Sequence, residues 1–307
     1  MKSSSRTLKF GHGDENIVKL VEGGKEPPLI LLHNGGGGVR AFFHFKKVFK
    51  TGLWAIQVTP DTPLDSLPTH ARYYVQKIKA QQPRGPYRLG SLSATSILLV
   101  EMARILEANG DTVGQLAFID HCPSLLLCPE IGIQGDFEYP LDDPRARRVF
   151  ITNSFHSAAT FLRTDGYGTS QQRRKQTQTM LAAYYGGEPT NEFARINAHI
   201  MERYLGAVFD FLVGLTPERK PERIMSALGT WMKSVKAVSR VQIYLASTGV
   251  VLEAPPQCRE EWLDLGARMC IGNPDVIYLE GGHFQILSDP RLIEGLQAGF
   301  GGGEAKL

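Results

Sequence analysis

Apolar residues in this chain come in two rhythms: short unbroken runs, and longer stretches where they return every third or fourth position. Leu29-Ile30-Leu31-Leu32-His33 is a run of the first kind, as parallel strands show when both their faces are buried. Leu53–Val58, Tyr87–Ser91, Gln115–Ile119, Val241–Ala246 and Asp275–Leu279 predict further strands, and Asn16–Val21 alternates as a half-buried strand does. The second rhythm puts Ala71, Tyr74, Val75 and Ile78 on one helical face within Leu67–Gln82. Ile97, Leu98, Val100, Met102, Ile105 and Leu106 make a strongly apolar helix that stops at Asn109-Gly110. Shorter helices are predicted over Ala41–Phe49, near Glu260–Cys270 and over Pro290–Ala298. Strand and helix alternate, which predicts an α/β fold with a mostly parallel central sheet and helices on both faces.

Between about Gly132 and Leu228 the rhythm changes. Arginines, glutamines and aromatics intermix there, no buried strand is recognisable, and Arg147–Leu162, Gln171–Tyr185 and Glu192–Val213 read as amphipathic helices. The expected organisation is therefore one domain over residues 1–307. Its core is 1–131 and 236–307, and a helical lid insertion spans about 132–235.

Composition narrows the function classes. At 307 residues, 42% hydrophobic and 21% charged, the chain can bury a large core as an ordinary globular enzyme. A net charge of +3 is too small to point to a nucleic-acid partner. Cys122, Cys128, Cys258 and Cys270 form no C-x-x-C pair, so reduced structural thiols are expected and no metal site. No apolar run reaches membrane-spanning length and Met1–Arg6 leads into a polar stretch, giving the expectation of a cytoplasmic protein without a membrane partner.

The chemistry centres on Tyr87-Arg88-Leu89-Gly90-Ser91-Leu92-Ser93-Ala94-Thr95, a strand that turns sharply into a helix with a serine at the turn. In α/β-hydrolases such a turn is the nucleophile elbow, G-x-S-x-G. Here the pentapeptide is Ser-Leu-Ser-Ala-Thr, without either glycine. A serine nucleophile needs a histidine to take its proton and a carboxylate to orient that histidine. Ser93, Asp120 and His283 supply these in the order Ser…Asp…His, each following a predicted strand. Ser91 is expected within the strand and Ser96 in a helix-capping role. Anchoring the glycine template on Gly90 would put Leu92 at the nucleophile position, which is chemically impossible. His33 and His121 also lie near strand ends, and Glu253 is the alternative acid. The run Asn34-Gly35-Gly36-Gly37-Gly38 has three readings: a flexible loop, a phosphate loop lacking its G-K-[ST], and an oxyanion loop whose bare amides can face a developing charge.

Several of these segments together are similar to the thioesterase domain at the end of fatty acid synthases, polyketide synthases and nonribosomal peptide synthetases. They are Pro28–His33 with its glycine loop, Gly85-Pro86-Tyr87-Arg88-Leu89 leading to Ser93, Val100–Ala103, Phe118-Ile119-Asp120-His121-Cys122-Pro123, and Glu280-Gly281-Gly282-His283. The resemblance implies an α/β-hydrolase fold and a serine mechanism on an acyl thioester, delivered on the phosphopantetheine arm of an acyl or peptidyl carrier protein. It further implies that the acyl chain leaves by hydrolysis or cyclisation and that no cofactor is bound. It implies backbone oxyanion donors at Gly35 and Ala94, and a lid channel lined by Phe155, Phe161, Tyr184 and Phe209, with Leu92 and His121 beside the nucleophile. The upstream synthase modules are the implied partners; the basic clusters Arg145–Arg148 and Arg173–Lys175 suit an acidic carrier protein or a phosphopantetheine phosphate, or form a solvated face of the insertion. Ser91 and Thr95 depart from the pattern, and with the glycine loop they lead to the expectation of a distorted, roomier or more mobile site. A free-standing esterase acting on small oxygen esters and a non-catalytic binding protein of the same fold are the alternatives.

Overall fold

Side-chain alternation along the strands splits the core of this protein into two layers, one on each face of a sheet. The computed structural model describes residues 15–24, 26–128, 192–248 and 262–298. In strand β2 (Leu29–Leu32) every residue is buried. Ile30 and Leu32 enter one apolar cluster, and Leu29 and Leu31 enter the other. β3 (Leu53–Ile56) divides in the same way, and so does β5 (Val113–Ile119) from Leu116 onward, because successive strand residues point to opposite faces. This is why these segments are continuous apolar runs.

The described strands form one seven-stranded sheet in the order β1-β3-β2-β4-β5-β6-β7, with β1 at Ile17–Val21, β4 at Tyr87–Leu92, β6 at Gln242–Ala246 and β7 at Asp275–Leu279. All neighbours pair in parallel except β1, which runs antiparallel to β3. The sheet edges, β1 and β7, are the only strands with exposed positions, and β1 carries the alternating pattern accordingly. Helices α1 (Leu67–Gln81) and α2 (Ser96–Ala108) cover the first face. Ser66 caps α1 by accepting a hydrogen bond from the Thr69 amide. The second face is covered by a 3-10 helix, Arg40–Lys47, and by the C-terminal helix of the described chain, Pro290–Ala298.

Two helices differ from expectation. Ala41–Phe49 is realised as the 3-10 helix Arg40–Lys47, because burying Phe42 and Phe45, three apart, suits three residues per turn. In its described part the segment near Glu260–Cys270 is helical at Trp262, breaks into a turn over 263–266, and is helical again over Ala267–Ile271. Leu265 and Gly266 take left-handed backbone, and the Asp264 carboxylate accepts the amides of Gly266 and Arg268. A helix therefore starts after Asp264 rather than running through it. Numbering the remaining helices in chain order gives α3 (Glu192–Gly214), α4 (Pro221–Lys233), α5 (Ala267–Ile271) and α6 (Pro290–Ala298).

Residues 192–235 of the expected insertion are described, and α3 and α4 make up most of them. The other two insertion helices, Arg147–Leu162 and Gln171–Tyr185, lie outside the described residues. So do Phe155, Phe161, Tyr184, the Arg145–Arg148 and Arg173–Lys175 clusters, Glu253 and Cys258. Among the described residues no helix is long and apolar enough to cross a membrane.

Gly295 in α6 tests how tightly the second layer is packed. Ala at an interior helix position gains about 1 kcal/mol over Gly, but a methyl at Gly295 would collide with the hydroxyl of fully buried Tyr244. Overpacking of this kind costs about 1–3 kcal/mol, so Gly295→Ala is expected to lower the thermal unfolding midpoint. Adding Tyr244→Phe should restore it; a raised midpoint in the single variant would show that Tyr244 yields freely.

Candidate active site

The C-terminal ends of β4, β5 and β7 carry the three residues singled out from the sequence. β4 ends at Leu92, a 3-10 turn spans Ser93–Thr95, and α2 begins at Ser96. Ser93 has φ +64°, a left-handed conformation that side chains other than Asn, Asp and Gly rarely adopt. That turn leaves Ser93 partly exposed while its neighbours Ser91, Leu92 and Thr95 are fully buried. The Ser93 carbonyl accepts the Ser96 amide, closing the turn.

The two missing glycines are accommodated differently. Ser91 sits in the sheet opposite Leu32 and Phe118, with its buried hydroxyl making no hydrogen bond. Thr95 places its hydroxyl 2.7 Å from the His33 carbonyl and 3.1 Å from that of Leu92. Threonine therefore fills its position with a hydrogen bond where glycine would give bare backbone.

Asp120, just beyond β5, also has left-handed backbone, φ +51°. Its amide donates to the Tyr244 carbonyl at 2.7 Å, and its Oδ1 accepts the Ala246 amide at 2.9 Å. Both partners lie on β6, the next strand. Its Oδ2 stands 2.6 Å from His283 Nδ1. His283 sits beyond β7 in a turn made possible by Gly281 at φ +107° and held by Gln285, whose Oε1 accepts the Gly282 amide. Asp120 and His283 are each 7% exposed. His283 Nε2 is buried and makes no hydrogen bond among the described residues, Ser93 Oγ included. Serine–histidine bonds are often long before substrate binds.

The glycine run is a pinned turn rather than a loose loop. Gly37 donates to the Asn34 carbonyl at 2.9 Å, Gly36 to Asn34 Oδ1 at 3.0 Å, and Val58 to the Gly37 carbonyl at 2.9 Å. Gly35 is closely approached: a Cβ there would lie 2.7 Å from Met201 Cε, the flexible end of a side chain on α3. The middle of α3 thus lies against the glycine turn, and its Tyr204 hydroxyl donates to the Ala94 carbonyl at 2.9 Å.

His33, His121, Leu92 and Phe209 are all buried. His33 is fully buried beneath the turn, its Nδ1 2.5 Å from the Asn34 carbonyl and its Nε2 2.9 Å from the Tyr74 hydroxyl. His121 turns away from Asp120 and bonds through Nδ1 to Ser96 Oγ at 2.8 Å, so Ser96 does not act as a helix cap. Leu92 is buried in the second apolar layer and Phe209 in the first, both within packed core. No group of three His, Cys, Asp or Glu side chains stands together as a metal site among the described residues. Sequence reasoning missed Tyr74, His70, Met201 and Tyr204. The helical spacing that marked Tyr74 as core also carries His70, which could have flagged a polar contact beside His33.

Residues 27–127, which hold the glycine turn, the elbow and Asp120, match the thioesterase domain family. Over 284 residues the chain is 30% identical to the highly reducing polyketide synthase stpks1 of Strobilurus tenacellus, covering 89% of this chain and 10% of that protein. Over 181 residues it is 36% identical to the nonribosomal peptide synthetase atrA of Aspergillus terreus, covering 57% of this chain and 17% of that one. The chain thus spans less than a fifth of either relative's length. Among solved structures, the Vlm2 thioesterase domain with a bound dodecadepsipeptide superposes with TM-score 0.51 at 13% identity, over 93% of this chain and 96% of that one. The fold is that of the α/β-hydrolases.

Burial sets the charge state around the site. It pushes His33 down to about 4, against the hydrogen bond to Asn34, and His121 down to about 3, with nearby His283 lowering it further and Asp120 opposing. His70 is likewise held well below its ordinary value, by burial first and then by His33. All three are neutral when folded at pH 7, while in the unfolded chain they take up protons near pH 6.5. Their contribution is complete above about pH 6.5 and is lost as pH falls toward 4, at about 1.4 kcal/mol per proton per pH unit. Thermal unfolding followed from pH 7 to 4.5 should show a steadily falling midpoint with proton uptake on unfolding. A flat profile would contradict buried neutral histidines.

Proposed function

We propose that this chain is a serine thioesterase that releases a polyketide or fatty acyl chain from the phosphopantetheine thiol of a carrier protein. The observation that carries this reading is the Asp120–His283 pair, 2.6 Å apart, at the same sheet edge as a serine in a left-handed strand–helix turn. The thioesterase match of residues 27–127 supports the substrate class.

The mechanism follows from the roles each group can fill. Asp120 holds His283 through Nδ1, leaving Nε2 as the base. Ser93 Oγ attacks the thioester carbonyl and its proton passes to Nε2. The carbonyl oxygen, now an oxyanion, is met by the amides of Gly35 and Ala94, and such donors are worth about 10²–10³ in rate each. Collapse expels the phosphopantetheine thiolate, which takes the proton from His283 and leaves an acyl-serine. Water, or a hydroxyl or amine within the acyl chain, then attacks the ester with His283 again as base, giving hydrolysis or cyclisation. The upstream synthase module that loads the carrier is the partner in this scheme, and α3, lying on the glycine turn, borders the acyl path.

Intact-protein mass spectrometry after incubation with acyl-N-acetylcysteamine thioesters tests this reading. Wild type should gain one acyl mass and Ser93→Ala none; acylation that persists in Ser93→Ala would remove the serine mechanism. Faster turnover of simple oxygen esters than of carrier-bound thioesters would favour an esterase instead. Asp120→Asn should lower kcat/KM by about 10³–10⁴-fold by allowing the wrong histidine tautomer, while Glu253→Gln should keep wild-type rates. The reverse pattern would move the acid to Glu253.

A further inference from the structure

We infer that Thr95 and His33 are positioning residues for the oxyanion site, fixing the direction of the Gly35 amide and tying it to the nucleophile elbow. The inference rests on the serine reading above and on Gly35 and Ala94 as oxyanion donors.

The argument begins with a peptide plane. The Asn34 carbonyl and the Gly35 amide belong to one planar unit and, in a trans peptide, point in opposite directions. Whatever anchors that carbonyl therefore aims that amide. Two donors anchor it: the Gly37 amide at 2.9 Å and His33 Nδ1 at 2.5 Å. Donation from Nδ1 to a carbonyl requires the proton on that nitrogen, so Nε2 of the neutral ring is an acceptor. Tyr74 occupies it, its hydroxyl 2.9 Å away. The His70 ring stacks on His33 at 6.0 Å between centroids, and His33 is fully buried. The imidazole is thus held on both nitrogens and one face, and cannot release the Asn34 carbonyl by rotating.

The second donor is built on the same plan. The Ala94 amide shares its peptide plane with the Ser93 carbonyl, which the Ser96 amide anchors inside the elbow. What remains is the distance between the two donors, since they belong to separate strands. Thr95 supplies that link, with its hydroxyl 2.7 Å from the His33 carbonyl. The His33 amide meanwhile donates to the Ile56 carbonyl at 3.0 Å. One residue thus receives the elbow at its carbonyl, the sheet at its amide, and the glycine turn at its ring. Thr95 stands where the G-x-S-x-G elbow has glycine, so this chain fixes the separation with a side-chain hydroxyl that a glycine elbow does not possess.

A hydroxyl that merely stabilised the fold would change the unfolding midpoint. One that positions an oxyanion donor changes transition-state stabilisation with little effect on substrate binding. Three variants of the full chain separate these: Thr95→Val deletes the hydroxyl and keeps the shape, Thr95→Ser keeps the hydroxyl, and Tyr74→Phe frees the far side of the His33 ring. Each is compared with wild type for kcat and KM on an acyl-N-acetylcysteamine thioester, for thermal midpoint, and for inhibition by an acyl trifluoromethyl ketone. Ser93 Oγ adds to that ketone carbonyl, its proton going to His283, and the resulting oxyanion is held by the same amides as in turnover.

Thr95→Val is expected to lower kcat about 10- to 100-fold, the scale of a small misplacement of reacting groups. KM should stay within about twofold, and the ketone should weaken by a factor matching the loss in kcat. Thr95→Ser should recover most of the loss, and Tyr74→Phe should shift kcat and ketone binding together in the same direction. Wild-type kcat and ketone affinity in Thr95→Val would overturn the inference, as would a loss confined to KM. If Thr95→Val unfolds, Tyr74→Phe decides by the same two readouts. Loss of labelling in Ser93→Ala with an unaffected Thr95→Val would defeat this inference alone; full turnover by Ser93→Ala would defeat the serine reading and this inference with it.

Discussion

Two neighbouring parallel strands, β4 and β5, each end on a non-glycine residue held in left-handed backbone, Ser93 and Asp120. Such conformations cost about 1–3 kcal/mol apiece and persist only where the surroundings over-determine them. Here the surroundings are the sheet itself. Asp120 is pinned through its amide to Tyr244 and through its carboxylate to Ala246 of β6, and Ser93 is closed by Ser96 at the head of a helix whose first eight residues are all buried. The strain turns two side chains sharply out of the strand direction at the same sheet edge, where ligands of open α/β sheets bind. Every other feature of the site depends on that geometry being held.

Electrostatics around this edge is asymmetric. Three histidines, His33, His70 and His121, are buried and pushed strongly toward the neutral form. They act as hydrogen-bonding shapes rather than as charges. His33 joins helix α1 to the glycine turn through Tyr74 and Asn34, and His121 joins Ser96 to the loop after β5. His283 differs in facing a carboxylate on one nitrogen and no hydrogen-bond partner on the other. Among the described residues only this histidine combines an orienting acid with a nitrogen that makes no hydrogen bond, which is what acid–base catalysis needs.

The helix α3 adds a further constraint. Met201 lies against Gly35, Ile200 against Gly37, and the Tyr204 hydroxyl on the Ala94 carbonyl. The same helix continues into the main core through Tyr204, Leu205, Val208, Phe209 and Leu212. A segment that borders the site is therefore also part of the packed interior. Its position is set by the core and not by the loop alone.

The sequence by itself pointed to the sheet, because strands buried on both faces are written as apolar runs such as Leu29–Leu32, and the strand expected over Gln115–Ile119 begins two residues earlier, at Val113. It also singled out Ser93, Asp120 and His283 as candidates, since their chain order and their places after predicted strands are one-dimensional facts. It left the 3-10 form of Arg40–Lys47 and the short start of α5 unresolved, because those turn on which phenylalanines reach the core and on a capping carboxylate at Asp264. Ser91 and Thr95 read from sequence as defects of an elbow. Only the tertiary structure decided that one is an unbonded hydroxyl tolerated inside the sheet and the other a hydrogen bond to His33. Those roles depend on which strand lies beside β4, and hydrogen bonds between residues 62 positions apart leave no periodic trace along the chain.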